Sequence, residues 1–138
     1  MKYNPSKRQN LAKQCLALKR FSSMAVSDDY PKINKNILVW RGNFTPIFNG
    51  ITYTIEIRYK HHKRCPEVYL IQPDIALRNG RRPPHMFSKN QLCVFHSTDW
   101  STLEIISEEN LIGWVSKWLY TYEIWQATGN WNADAINH

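Results

Sequence analysis

Residues 51–59 read Ile-Thr-Tyr-Thr-Ile-Glu-Ile-Arg-Tyr, and no other stretch limits the fold as tightly. Ile51, Tyr53, Ile55, Ile57 and Tyr59 alternate with Thr52, Thr54, Glu56 and Arg58. Successive side chains of a strand point to opposite faces, so this period of two predicts a strand with one buried face and one wet face. The polar break Lys60-His61-His62-Lys63-Arg64-Cys65-Pro66 follows, and Glu67-Val68-Tyr69-Leu70-Ile71 resumes as a strand. Two strands around a short polar break make a hairpin. Upstream, Ile37-Leu38-Val39-Trp40-Arg41 reads as a strand closed by Gly42, so 37–71 is an antiparallel meander. Leu92-Cys93-Val94-Phe95 adds a fourth apolar stretch.

Helical patterns flank the meander. Over 6–21, Leu11, Cys15 and Leu18 recur at helical spacing among Lys7, Arg8, Lys13, Lys19 and Arg20. Residues 22–36 are polar, carry Pro31 and read as a loop. Ser101-Thr102-Leu103-Glu104 fits a capping box, in which Ser and Glu satisfy free N–H groups at a helix start. Leu111, Trp114, Val115, Trp118, Leu119, Tyr122 and Trp125 then follow at helical spacing and predict an amphipathic helix with an aromatic face. Thr128-Gly129 marks its end, because Gly accepts the left-handed conformation past a helix terminus. The order helix, meander, long loop, helices is an α+β layout. At 138 residues the chain is expected to form a single domain over 1–138.

Composition sets the outer limits. Hydrophobic residues are 43% and charged residues 21%, the balance of a globular domain and not of a disordered tail. No apolar run is long enough to span a bilayer, and Met1–Arg8 lacks the apolar core of a signal peptide, so the expected location is the cytoplasm. The net charge is +7, which favours acidic partners without choosing among nucleic acid, anionic surfaces and acidic proteins. Cys15, Cys65 and Cys93 are odd in number and widely spaced, which argues against a disulfide framework.

Cys93 carries the strongest chemical signal. It follows the irregular stretch 72–91, which holds Pro73, Gly80, Pro83, Pro84 and the basic cluster Arg78, Arg81 and Arg82. Loops of this length within a compact domain are commonly functional. His85, Asn90, His96 and Asp99 lie nearby in sequence, and a thiol becomes nucleophilic where a histidine or a cation favours its thiolate. Cys15 sits on an apolar stripe and reads as a small core residue. His61, His62 and Cys65 lack the paired spacing of a structural zinc site, so a charged hairpin tip accounts for them and no metal is expected. No phosphate-cradling glycine loop and no nucleophile elbow is present, and no cofactor is expected.

The ordered set of these pieces resembles the ubiquitin-conjugating-enzyme family, and more closely its bacterial relatives associated with cyclic-oligonucleotide antiphage (CBASS) operons. The resemblance is carried by Trp40-Arg41-Gly42, by Tyr53–Ile57 through Pro66–Leu70 and Pro73, by His85-Met86-Phe87 leading to Leu92–Phe95, by Asp99-Trp100, and by Trp118–Trp125 with Thr128–Trp131. It implies an α+β ubiquitin-conjugating-enzyme-like fold: an N-terminal helix, a four-stranded antiparallel meander sheet, a long active-site loop and C-terminal helices. It implies that Cys93 carries a protein C-terminus as a thioester and passes it to an amine, with His85 aligned to the histidine of the family's His-Pro-Asn triplet. Met86 and Phe87 replace the Pro and Asn, leaving Asn90 as a substitute and His96 and Asp99 as alternative orienting or base groups. The implied partners are a CD-NTase (cyclic oligonucleotide synthase) and an adenylating activating enzyme, which would dock on the basic first helix. Two other readings stay open: a non-catalytic module of the same fold that regulates the nucleotidyltransferase by contact, and a basic nucleic-acid-binding protein.

Overall fold

The alternation of 51–59 sits at the centre of the sheet. In the computed structural model, which describes residues 10–131, five strands form one antiparallel sheet in sequential order: β1 Lys32–Asn34, β2 Ile37–Phe44, β3 Tyr53–Lys60, β4 Glu67–Gln72 and β5 Gln91–Leu92. The expected count of four is corrected by β1, which lies inside the stretch read as a loop. Lys35 and Asn36 take positive φ, turning the chain so that Asn34 pairs with Ile37. Asparagine tolerates that conformation, which makes a two-residue hairpin possible. The Leu92–Phe95 stretch pairs only at Leu92, although Val94 is buried.

β2 does not close at Gly42 but runs on to Phe44. The ring of Trp40 lies over Gly42, where an added Cβ would stand 2.0 Å from Cη2. Gly42 thus serves a close approach between a ring and a backbone, a recognised use of glycine within a strand. The inner face carries Leu38, Trp40, Phe44, Tyr53, Ile55, Ile57, Tyr59, Val68, Leu70 and Leu92, all buried. The outer face is not simply wet. Thr54 and Glu56 are buried on it, because Arg41 on β2 and Arg58 fold over the Glu56 carboxylate. Burial pushes the Glu56 carboxyl up, but the bonds from Arg58 and Arg41 outweigh it and hold the group below its ordinary range.

Two α-helices pack on this sheet. α1 Leu11–Leu18 continues into a 3-10 turn at Lys19–Phe21, within the predicted 6–21; residues 6–9 lie outside the described residues. Asn10 caps α1 by accepting from the Lys13 N–H at 3.1 Å. Gln14 is buried on α1, donating to Glu104 O at 2.8 Å and accepting from Ile106 N at 3.0 Å, so its amide fastens the 104–106 segment as a strand would.

The predicted capping box does not start a helix. Ser101 Oγ accepts from Leu103 N at 3.2 Å in a local turn, and the helix begins later. Asn110 is the true cap of α2 Leu111–Thr128: its Oδ1 accepts from Leu111 N and from Ser107 N, and its Nδ2 donates to Ile105 O. The predicted C-terminal helices are therefore one long helix preceded by a 3-10 turn at Ser97–Asp99. α2 is buried on more than its aromatic face, with Ile112, Thr121 and Glu123 also enclosed. Glu123 tolerates this because its carboxylate accepts from Tyr53 Oη at 2.8 Å and from Asn49 N at 3.2 Å. Gly129 ends the helix in the left-handed region at φ 81°, as expected.

Candidate functional site

The 72–91 segment is long but not loose. Tyr122, Trp118 and the C-terminal end of α2 hold it at three points. Tyr122 Oη accepts from Ala76 N at 2.7 Å, Arg78 Nε donates to Gln126 O at 3.2 Å, and Trp118 Nε1 donates to His85 O at 3.1 Å. Between the second and third, Asn79 and Gly80 take positive φ in a tight turn that pairs Arg78 with Arg81. After His85 the chain doubles back. Phe87 N donates to Gln91 O, and Cys93 N donates to His85 O, both at 2.9 Å. The residues from 86 to 92 thus form a closed hairpin whose base joins His85 to Cys93.

Cys93 leaves β5 half-buried, with its thiol donating to Phe95 O at 3.6 Å. Burial pushes this thiol above its ordinary range. A protonated resting thiol is a weak nucleophile, but once deprotonated its thiolate is strongly nucleophilic. The Cys93 N–H bond to His85 O fixes the main chain that carries that sulfur, just past the end of β5.

The other residues singled out in the sequence are distributed around Cys93 in different ways. His85 lies beside it through its carbonyl, while the exposed imidazole packs on Trp131 with centroids 5.4 Å apart. His85 also adopts φ 61°, a strained conformation for a residue with a Cβ, and the two bonds to its carbonyl hold it there. His96 is exposed just past Phe95. Its N–H donates to the Asp99 carboxylate at 3.4 Å, so Asp99 serves the 3-10 turn. Asn90 Nδ2 donates to Leu70 O at 3.4 Å and its carbonyl accepts from Leu70 N at 2.8 Å, so it prolongs the β4–β5 pairing. Among the described residues no imidazole and no cation contacts the Cys93 sulfur.

Sequence reasoning missed the residues that position this site. Trp118 and Tyr122 read as core, yet both hydrogen-bond the loop, and Trp131, past the helix end, backs the His85 ring. A polar tip on a buried aromatic must find a partner, and the long loop was the region in need of anchors. His61, His62 and Cys65 stay at the β3–β4 turn, and no group of three metal-ligating side chains occurs among the described residues. Arg64, next to them, spans to Trp100 O and Ser97 O and ties this turn to the segment after Cys93.

An antiparallel meander, a tethered loop and a half-buried cysteine at its end define a mixed α+β domain consistent with a ubiquitin-conjugating-enzyme-like protein. A family model described as Type II CBASS E2 protein matches residues 15–138. The chain belongs to that family, and so to the proteins of CBASS defence. No curated protein matches it. No helix among the described residues is long and apolar enough to cross a membrane.

Proposed function

We propose that this chain is a cysteine-dependent protein-conjugating transferase of CBASS defence, with Cys93 as its acyl carrier. The observation that carries the reading is the bond from Cys93 N to His85 O at 2.9 Å, which fixes the cysteine that follows the long loop, just past β5, in a Type II CBASS E2 chain. The donor is a protein C-terminus activated as an acyl adenylate by an adenylating enzyme, because its free carboxylate has no leaving group. The Cys93 thiolate attacks the carbonyl carbon, the C–S bond forms, and AMP leaves. A neutral amine then attacks the thioester and the thiolate departs, leaving an amide. His85 and His96 are the candidate proton acceptors for the thiol and the attacking amine, at the two ends of the segment that holds Cys93. A CD-NTase is the proposed conjugation partner, through its C-terminal carboxylate as donor or a lysine amine as acceptor, and α1 is the proposed dock for the activator. There Lys13 and Arg20 border a groove floored by Ala17 and Ile106, with Leu16 68% exposed.

A second reading is favoured by the raised thiol and, among the described residues, the lack of a contacting cation: a binding module that regulates its partner without chemistry. Intact mass without reductant, after co-expression with the operon's other proteins, separates the two. The transferase reading predicts an added mass equal to a partner, absent in Cys93→Ala and lost on adding thiol. Stable co-purification with no added mass in either protein would establish the binding module instead.

A further inference from the structure

The arginine turn in the tethered loop has no role in the fold beyond one of its members. Arg78 lies across the end of α2, donating to Gln126 O, and its Nη1 would stand 2.7 Å from a Cβ added at Gly129. Its positive charge there complements the negative end of the helix dipole. Arg81 is different. Its backbone exchanges both hydrogen bonds with Arg78, at 2.9 and 3.1 Å, but its exposed side chain makes no ion pair among the described residues, and neither does Arg82. A two-residue turn with both central φ positive is rigid, so the Arg81 guanidinium is presented from a fixed base. Arg78, Asn79, Arg81, Trp125 and Gly129 line a cleft of about 340 Å³.

A chain of packed and bonded residues links the cleft to Cys93. Trp131, two residues past Gly129, packs on the exposed ring of His85, whose carbonyl holds Cys93 N. Trp131 also packs on Trp118, at 5.2 Å between centroids. From Trp118 to Gly129 the helix rises about 16 Å at ~1.5 Å per residue. An extended peptide covers that distance in roughly five residues at ~3.3 Å each.

We propose that Arg81, with Arg78 behind it, is the binding site for an acidic side chain of the donor's tail, about five residues upstream of the carbonyl that reaches Cys93. The intervening residues lie over His85 and Trp131. This assignment rests on Cys93 being the acyl carrier. A guanidinium matches a carboxylate in geometry and charge, and a rigid turn reduces the ordering cost of the pair. The site selects donors by charge before any acyl transfer takes place.

Peptide α-thioesters test this without an activating enzyme. The Cys93 thiolate takes the acyl group and the small thiol leaves, so loading is read by intact mass. Peptides ending in Gly, with Glu or Gln placed at successive upstream positions, are compared on wild type, Arg81→Ala and Arg81→Lys. The expected result is about tenfold faster loading for one Glu position near the fifth residue. That gain is lost in Arg81→Ala and partly kept in Arg81→Lys, while the Gln peptides load all three proteins alike. Equal loading of Glu and Gln peptides by wild type overturns the assignment and leaves Cys93 as carrier intact. If no peptide loads Cys93, the carrier reading fails. Anisotropy of the labelled, unactivated peptides on Cys93→Ala then decides the site alone. A Glu preference that vanishes on adding Arg81→Ala supports it, and no preference overturns it. A single-stranded oligonucleotide that binds tighter than the Glu peptide, and depends on Arg81, makes the turn a nucleic-acid site and overturns the assignment as well.

Discussion

Cys93 and Cys65 are both half-buried thiols, and burial pushes both above their ordinary range. Their surroundings differ in the opposite sense to what acidity would favour. Arg64 beside Cys65 pulls that thiol partly back, whereas among the described residues no cation contacts Cys93. Cys65 sits at the β3–β4 turn with its thiol 3.9 Å from Ser97 O, and a 330 Å³ cleft opens beside it. Cys93 has its main chain fixed by His85, which Trp118 fixes in turn. The lesson is that position, not resting acidity, distinguishes the proposed carrier. A thiol that stays protonated until a donor arrives is also protected from stray oxidation, which follows thiolate character.

The comparison breaks most sharply on removing each sulfur. Cys93→Ala is expected to abolish every partner adduct and Cys65→Ala to leave adducts unchanged, as read by intact mass. The next largest effect comes from what holds Cys93 in place. Trp118→Ala removes a fully buried indole and is expected to cost about 3–5 kcal/mol in chemical denaturation. Trp118→Phe keeps most of the packing but removes the donor to His85 O. It should slow acyl loading at Cys93 severalfold while leaving alkylation of Cys65 at its wild-type rate.

A change in the sheet should treat the two thiols alike. Glu56→Ala leaves Arg41 and Arg58 facing each other without their carboxylate and is expected to cost about 1–3 kcal/mol. The sign of the pH effect follows from the lowered Glu56 carboxyl. Its contribution is present above the unfolded value of ~4.3 and is lost as pH falls through the lower folded value. Wild type should therefore lose stability below about pH 4.3 more steeply than Glu56→Gln, measured by urea midpoints across pH. Alkylation by iodoacetamide sharpens the contrast between the thiols themselves. Both rates should rise through midpoints above ~8.5, the ordinary thiol value. The smallest effect is expected at Gly129→Ala, about 1 kcal/mol, from its positive φ and the pressure on Arg78.

The centre of the fold was legible because its pattern is local. Alternation over 51–59 gave β3, helical spacing gave α2, and Gly129 gave the helix end. What the sequence concealed depends on contacts between distant residues. The capping box at Ser101 is a valid local pattern, yet Gln14, about 90 residues away in the chain, ties down 104–106 through both ends of its amide, and the helix starts only after Asn110. Glu56 read as a wet residue until Arg41 and Arg58 covered it. At the candidate site, the position of Cys93 after the loop was visible, and so was its nearness to His85. The way they meet was not, because a carbonyl contact leaves no mark on residue type. Nor does sequence reveal that the Trp118 and Tyr122 tips are spent on the loop, since their spacing is that of an ordinary core face.

The most direct test of the central claim is the site of the partner adduct, mapped by tandem mass spectrometry after acid quench without reductant. The account predicts a partner C-terminal carbonyl on Cys93, released by thiol, with Cys65 unmodified. An adduct that persists in Cys93→Ala, or that maps to Cys65, would contradict it.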